Sequence, residues 1–122
     1  MGKKTVIIGA STNTARYSYL AAGMLTEYGH EVVPVGIKKG AIFGNEILDL
    51  RKKPTIENVN TVTLYIGQRH QSEWYDYVLS LKPERVIFNP GAENSEWMQI
   101  LSNKGIDAME ACTLVMLRTN QF

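Results

Sequence analysis

The sequence has one cysteine, two histidines and no run of apolar residues long enough to cross a membrane. A single cysteine excludes an intrachain disulfide framework and suits a reducing compartment. His30 and His70 lie far from each other and from Cys112, so no zinc ligand set can be read from spacing. Without a signal-peptide or membrane-spanning stretch, the expected location is the cytoplasm. Excess charge of one sign is lacking too: 13 basic residues stand against 12 acidic ones, a formal net of +1. That balance gives no overall pull toward nucleic acid or membrane, so electrostatic recognition has to be local. No Gly-x-Ser-x-Gly elbow occurs. Asp49, Glu93 and Glu110 have no partner that would make them an acid and base pair. Recognition rather than catalysis is therefore expected.

What is present is an ordinary globular composition, 44% hydrophobic and 20% charged over 122 residues. This is enough for one domain, residues 1–122, around a single core. The informative stretch is Val6-Ile7-Ile8-Gly9-Ala10-Ser11-Thr12-Asn13-Thr14-Ala15-Arg16. A β-branched strand ends at a glycine, passes through a polar turn and opens a helix. In an open α/β sheet such a turn binds phosphate, because helix-start amides lack intrahelical partners and the helix dipole adds partial positive charge.

Periodicity organises the rest. Tyr17, Leu20, Ala21, Met24, Leu25 and Tyr28 recur at helical spacing and predict an apolar helix face that Gly29 terminates. Glu31–Val35 predicts a second strand, with Pro34 at its carboxyl end because proline offers a ladder no donor. The segment from Gly36 to Asn60 is irregular and carries basic residues at 38, 39, 51, 52 and 53. Within it, Glu46–Leu50 reads as a brief strand and Thr55–Asn58 as one helical turn. Strands follow at Thr61–Ile66, Arg85–Phe88 and Ile106–Met109. A helix through Trp74, Tyr77, Val78 and Leu81 has Ser72 as its expected N-cap. Another runs through Trp97, Ile100 and Leu101 to Gly105, and a short one spans Thr113–Leu117. Trp74 and Trp97 fall on helical stripes and read as core. Strands alternating with helices predict parallel βαβ units with right-handed crossovers. The expected fold is a three-layer, doubly wound Rossmann-like α/β domain with about five parallel strands in the order 3-2-1-4-5.

The turn argues against NAD. The dinucleotide fingerprint wants three glycines, and only Gly9 is present; Ser11 and Thr14 occupy the other two places. Ser11, Thr12, Asn13 and Thr14 offer side-chain groups instead. An NAD site also places an acid after the second strand, whereas this chain has Lys38 and Lys39. A cation there would meet a phosphorylated ribose, either the 3′-phosphate of coenzyme A or the 2′-phosphate of NADP. Arg16 offers a charge-assisted contact to a diphosphate. The bland alternatives are an N-cap for Ser11–Thr14, a solvated pair for Lys38 and Lys39, and a small buried hydrophobe for Cys112.

Four groups of residues carry a resemblance: Gly9-Ala10-Ser11 with Arg16-Tyr17-Ser18, Val33-Pro34-Val35 with Lys38, Asn89-Pro90-Gly91-Ala92-Glu93-Asn94, and Glu110-Ala111-Cys112. On these the chain resembles the small stand-alone CoA-binding domain proteins, similar in fold to the N-terminal part of the succinyl-CoA synthetase α subunit. The resemblance implies a diphosphate near Gly9, Ala10, Ser11, Thr12, Arg16 and Ser18, with Asn13 in the same turn. It implies adenosine and its phosphate near Pro34, Val35 and Lys38. It puts Ile66, Gly67, Asn89, Pro90 and Gly91 beside the adenine and pantetheine arm. The chain departs from many relatives at Ile37, where they have proline, and at Ala111, where they have an arginine that would contact an anion. The expected partner is CoA or an acyl-CoA, with a homodimer or a separate enzyme partner as further expectations. An NADP- or acyl-CoA-dependent enzyme and a ligand-free interaction domain stand as alternatives.

Overall fold

Short β-branched runs buried on both faces produce the sheet. A computed structural model describes residues 2–122. In chain order it contains β1 (Thr5–Ile8), α1 (Tyr17–Glu27), β2 (Val32–Gly36), β3 (Ala41–Ile42), β4 (Asn45–Glu46) and β5 (Leu48–Asp49). Then come β6 (Thr61–Leu64), α2 (Tyr75–Ser80), β7 (Arg85–Phe88), α3 (Ser95–Asn103), β8 (Asp107–Glu110) and α4 (Thr113–Arg118). The strands β5-β2-β1-β6-β7-β8 form one parallel sheet, and β3-β4 is a separate hairpin. Period-2 alternation along β1 divides the core. Val6 and Ile8 join Trp74, Tyr77, Val78, Trp97 and Leu101 of the α2–α3 side. Ile7 joins Ala22, Leu25, Leu117 and the hairpin's Ile42 on the other. The three layers are thus α1 and α4, the sheet, and α2 and α3.

The α/β Rossmann-like architecture is as expected, with six strands in the main sheet rather than five. The expected strand order needs correction. The strand at Thr61 pairs with β1, not with the outer side of β2, and the outer place belongs to the two-residue β5. Two features account for this. The Val35 carbonyl accepts amides from the β1 side, so on a pleated strand the backbone of Pro34 faces the outer edge. There its missing N–H leaves a gap that a long neighbour would have to leave unpaired. Thr61–Leu64, by contrast, is buried at every residue, as a central strand must be. Pro34 itself is the middle residue of β2, not its end.

Other boundaries shift for local reasons. The buried stripe of α1 is Ser18, Ala21, Ala22 and Leu25, while Tyr17, Leu20 and Tyr28 are 70%, 44% and 50% exposed. Small residues let α1 lie close on the sheet, and the larger ones face solvent. Gly29, at φ +86°, ends α1 as expected, with the Gly29 and His30 amides donating to Thr26 and Leu25 carbonyls. Ser72 does not cap α2; it begins a 3-10 turn, Ser72–Trp74, that feeds into that helix. Thr55–Asn58 forms no helical turn; the single turn lies at Leu50–Lys52 instead, capped by the Asp49 carboxylate accepting from the Arg51 amide. The last strand starts and ends one residue later than predicted. Both tryptophans are core residues, at 9% and 0% exposure.

His30 ties the amino-terminal segment to the far end of the chain. Its Nδ1 accepts the Lys3 backbone N–H at 2.9 Å, and its ring packs edge-on against Phe122. Burial holds its pKa below the usual histidine value, and the Lys3 and Arg85 charges act the same way. The fold therefore prefers the neutral ring, and the unfolded chain binds the proton more readily. Stability should be full above the ordinary value of 6.5 and fall as the pH drops through that value toward the lowered native one. A thermal melt series from pH 7.5 to 5.5 checks this. His30→Gln, which can still accept the Lys3 amide, is expected to flatten the decline; an unchanged slope in the variant would assign the decline to other groups.

Candidate functional site

The carboxyl ends of β1, β2, β6 and β7 reach one edge of the sheet, where the loops that leave them flank the crevice expected of an open parallel sheet. Two glycines allow the loops to close. Gly9 sits at φ +99°, and a Cβ there would lie 2.9 Å from the Tyr65 carbonyl oxygen. A Cβ on Gly36 would lie 2.5 Å from the Ala10 carbonyl oxygen. The turn after β1 is thus pressed against the ends of both neighbouring strands, and only glycine fits at the contacts.

Backbone accounting then shows which amides of the first turn remain open. The Gly9 and Ala10 amides both donate to the Val35 carbonyl, at 2.9 and 3.0 Å. They belong to the sheet, so their role toward a ligand is to set the turn rather than to donate. Ser11 Oγ accepts the Asn13 amide at 3.0 Å, and Asn13 Oδ1 accepts the Ala15 amide at 3.0 Å. The Asn13 carbonyl accepts the Arg16 amide. Among the described residues, the amides of Ser11, Thr12 and Thr14 make no such bond. Arg16 is the N-cap of α1 and supplies no side-chain cap, so the start of that helix is open as well. Thr12, Asn13 and Arg16 are exposed, and Ser18 is buried one turn behind them. None of Ser11–Thr14 is the N-cap of α1; the Ser11 and Asn13 side chains make turn bonds ahead of the helix and leave the amides of Ser11, Thr12 and Thr14 open.

Beyond β2 the crevice turns basic. Lys38, Lys39, Arg51 and Lys52 line a cavity of about 390 Å³, together with Gly36 and Asp49. Arg51 is held there: its Nε donates to Asp49 Oδ1 at 3.0 Å and its Nη2 to the Ile37 carbonyl at 3.1 Å. Those Arg51 bonds hold the Asp49 carboxyl below the usual carboxylate range. Of the two acids in the cavity wall, Asp49 is thereby committed to Arg51 and Glu46 is exposed, while Lys38 and Lys39 are exposed and make no salt bridge among the described residues. The sequence shows five basic positions without joining them across the loop; β5 and its 3-10 turn bring four of them, Lys38, Lys39, Arg51 and Lys52, to one cavity, and Lys53 lies outside it. Arg51 is the residue that the sequence alone does not assign to the site, and the Asp49-x-Arg51 spacing at a turn start was the available signal. Pro34 and Val35 lie buried in β2 beneath this region.

The opposite side of the crevice is formed by Ile66 and Gly67 after β6 and by Pro90 and Gly91 after β7. Pro90 and Gly91 are exposed, and Ile66 and Gly67 are half-buried. Asn89, in contrast, is 1% exposed and fully engaged. Its Nδ2 donates to Thr63 Oγ1 and to the Leu64 carbonyl, and its Oδ1 accepts the Thr113 amide. It works as a strut between β6, β7 and α4. Behind it, the Tyr65 hydroxyl is buried and finds no acceptor within hydrogen-bonding geometry. Burial pushes its pKa up to about 12, moderated by the nearby Thr113 and Thr63 hydroxyls. Cys112 is a half-buried free thiol at the start of α4. Among the described residues there is no metal-ligand cluster, and no helix is long and apolar enough to cross a membrane.

Replacing Gly9 tests the tight turn. Gly9→Ala combines a positive φ with a contact too short for a carbon atom, and is expected to destabilise by about 1–3 kcal/mol. Urea denaturation would measure it; a loss under about 0.5 kcal/mol would mean that the loops are free to move apart.

Comparison with known proteins adds sequence and fold evidence. The sequence pattern described as CoA binding domain matches residues 3–118. A solved structure described as an uncharacterized protein is 53% identical, with a TM-score of 0.96 over 100% of this chain and 99% of its own. The structure of cell-free ID.343 from Thermus thermophilus is 21% identical, with a TM-score of 0.84 over 99% of this chain and 91% of its own. A hypothetical protein from Pyrococcus horikoshii OT3 is 20% identical, with a TM-score of 0.84 over 97% and 83% respectively. The last two share the fold. No match was found among curated proteins.

Proposed function

The chain belongs to the CoA-binding domain family, and from that premise we propose that it binds coenzyme A or an acyl-CoA along the carboxyl edge of the sheet. The diphosphate lies against the open amides of Ser11, Thr12 and Thr14 at the start of α1, with Arg16 as a charge-assisted partner. The adenosine lies over the end of β2, and its 3′-phosphate enters the basic cavity near Lys38. The pantetheine arm then runs the other way, across the ends of β6 and β7. The observation that carries this reading is the pairing, on one edge, of three unspent amides with a lysine-lined cavity whose aspartate is already bound to Arg51. A diphosphate with a separate phosphomonoester answers both features. Recognition is the chemistry proposed; a reaction on the acyl group would fall to a separate protein.

Calorimetric titration with CoA, dephospho-CoA, NADP and NAD tests the assignment. CoA is expected to bind tightest and NAD weakest, whereas tighter binding of NADP would move the reading to a 2′-phosphorylated dinucleotide. Lys38→Glu should weaken CoA by about tenfold or more, the worth of one charge-assisted contact, and dephospho-CoA far less. Equal losses for the two ligands would remove Lys38 from the phosphate. Arg16→Ala should weaken both ligands alike.

A further inference from the structure

Gln71 stands in an irregular stretch between two 3-10 turns, yet it is 0% exposed. Its Nε2 donates to the Ile66 carbonyl and to the Ala92 carbonyl, each at 2.8 Å. Its Oε1 accepts from Asn94 Nδ2 at 2.8 Å. Both donors and the acceptor are used, and a flipped amide would aim its oxygen at two carbonyls, so the orientation is fixed. Asn94 extends the network: its Nδ2 also donates to the Tyr75 hydroxyl at 2.8 Å, and its Oδ1 accepts the Trp97 amide as the N-cap of α3. One buried amide therefore bolts the loop leaving β6 to the loop leaving β7. Burying an amide is costly unless fully bonded, and here every donor and acceptor of the Gln71 amide has a partner. The polar residue gains what methionine could not: a fixed spacing between Ile66-Gly67 and Pro90-Gly91.

We propose that Gln71 is a positioning residue for the pantetheine arm of the ligand, acting through these two loops without touching the ligand itself. The inference rests on the CoA reading above. With the diphosphate at the first turn and the phosphoribose toward β2, the arm can only cross the edge over β6 and β7. That arm is long and flexible, and ordering it opposes binding; walls held in advance at the right separation reduce the opposing term. The adenosine end lies on the other side of β1, beyond the reach of the network. Gln71 thus governs affinity for the arm and leaves affinity for the nucleotide unchanged.

The test compares CoA with 3′-phosphoadenosine 5′-diphosphate, which keeps the diphosphate and the 3′-phosphate and lacks the arm, on native protein and on Gln71→Met. CoA is expected to weaken by about tenfold, with the arm-less nucleotide changed less than about twofold. Equal weakening of both ligands, or no change in either, would overturn the assignment, since a merely structural glutamine has no reason to distinguish them. Gln71→Met leaves two buried carbonyls unpaired and can fail to fold. Tyr75→Phe is the companion variant: it removes one Asn94 partner while Gln71 stays in place. It should weaken CoA by a few-fold and spare the nucleotide, and loss of neither would contradict the proposal. If the native protein binds neither ligand, the CoA reading falls and this inference with it; if it binds the nucleotide but CoA no tighter, only this inference falls.

Discussion

One carbonyl decides the shape of the crevice. Val35 accepts the amides of both Gly9 and Ala10, which closes the β1–β2 ladder two residues beyond the end of β1. After two donors have been spent on one acceptor, the chain has to turn away from the sheet. Gly9 makes the turn possible through its positive φ, and Gly36 lets the Ala10 carbonyl pass. The next amides then have no sheet partner and, until α1 begins, no helical one. The open donors at Ser11, Thr12 and Thr14 are therefore a consequence of strand geometry, reinforced by the local bonds of Ser11 and Asn13.

The same constraint separates the crevice into two halves of different character. Toward β2 and β5 it is cationic: Lys38, Lys39, Arg51 and Lys52 face Glu46 and Asp49 in the cavity wall, a local excess that the chain's net charge of +1 hides. Arg51 contributes by neutralising Asp49 and by holding the Ile37 carbonyl, which steadies the loop that carries Lys38. Toward β6 and β7 it is bounded by the uncharged pairs Ile66-Gly67 and Pro90-Gly91, with Arg69 and Glu93 further along the same loops, which Asn89 and Gln71 brace from behind. An ionic nucleotide and an uncharged arm suit those two halves respectively. Because the lysines are solvent-exposed, their contribution is screened by salt, whereas the backbone amides and the braced loops keep theirs.

Much of this was legible in the residues because it is local. Thr5–Ile8, Arg85–Phe88 and the helix-ending Gly29 announce themselves through β-branching and turn chemistry, and Gly9 marks the turn proposed to hold phosphate. What was hidden is nonlocal. The place of Thr61–Leu64 beside β1 depends on which edge Pro34 presents, and that follows from the direction of the Val35 carbonyl. The outward face of α1 was misjudged because Tyr17, Leu20 and Tyr28 share helical spacing with the truly buried Ala21 and Leu25. The meeting of Lys38 with Arg51 needs the β3–β4 hairpin and the short β5, which are too brief to leave a periodic signal. Asn89 matched a family motif as a ligand neighbour, but its side chain is wholly occupied in joining strands.

Backbone amide NMR during titration with CoA addresses the central claim directly, because it reports on the donors themselves. The largest shifts are expected at the amides of Ser11, Thr12 and Thr14, with a second set around Lys38 that is missing when dephospho-CoA is used. Shifts confined to the exposed outer side of α1, or leaving Ser11–Thr14 unmoved at saturation, would contradict the account.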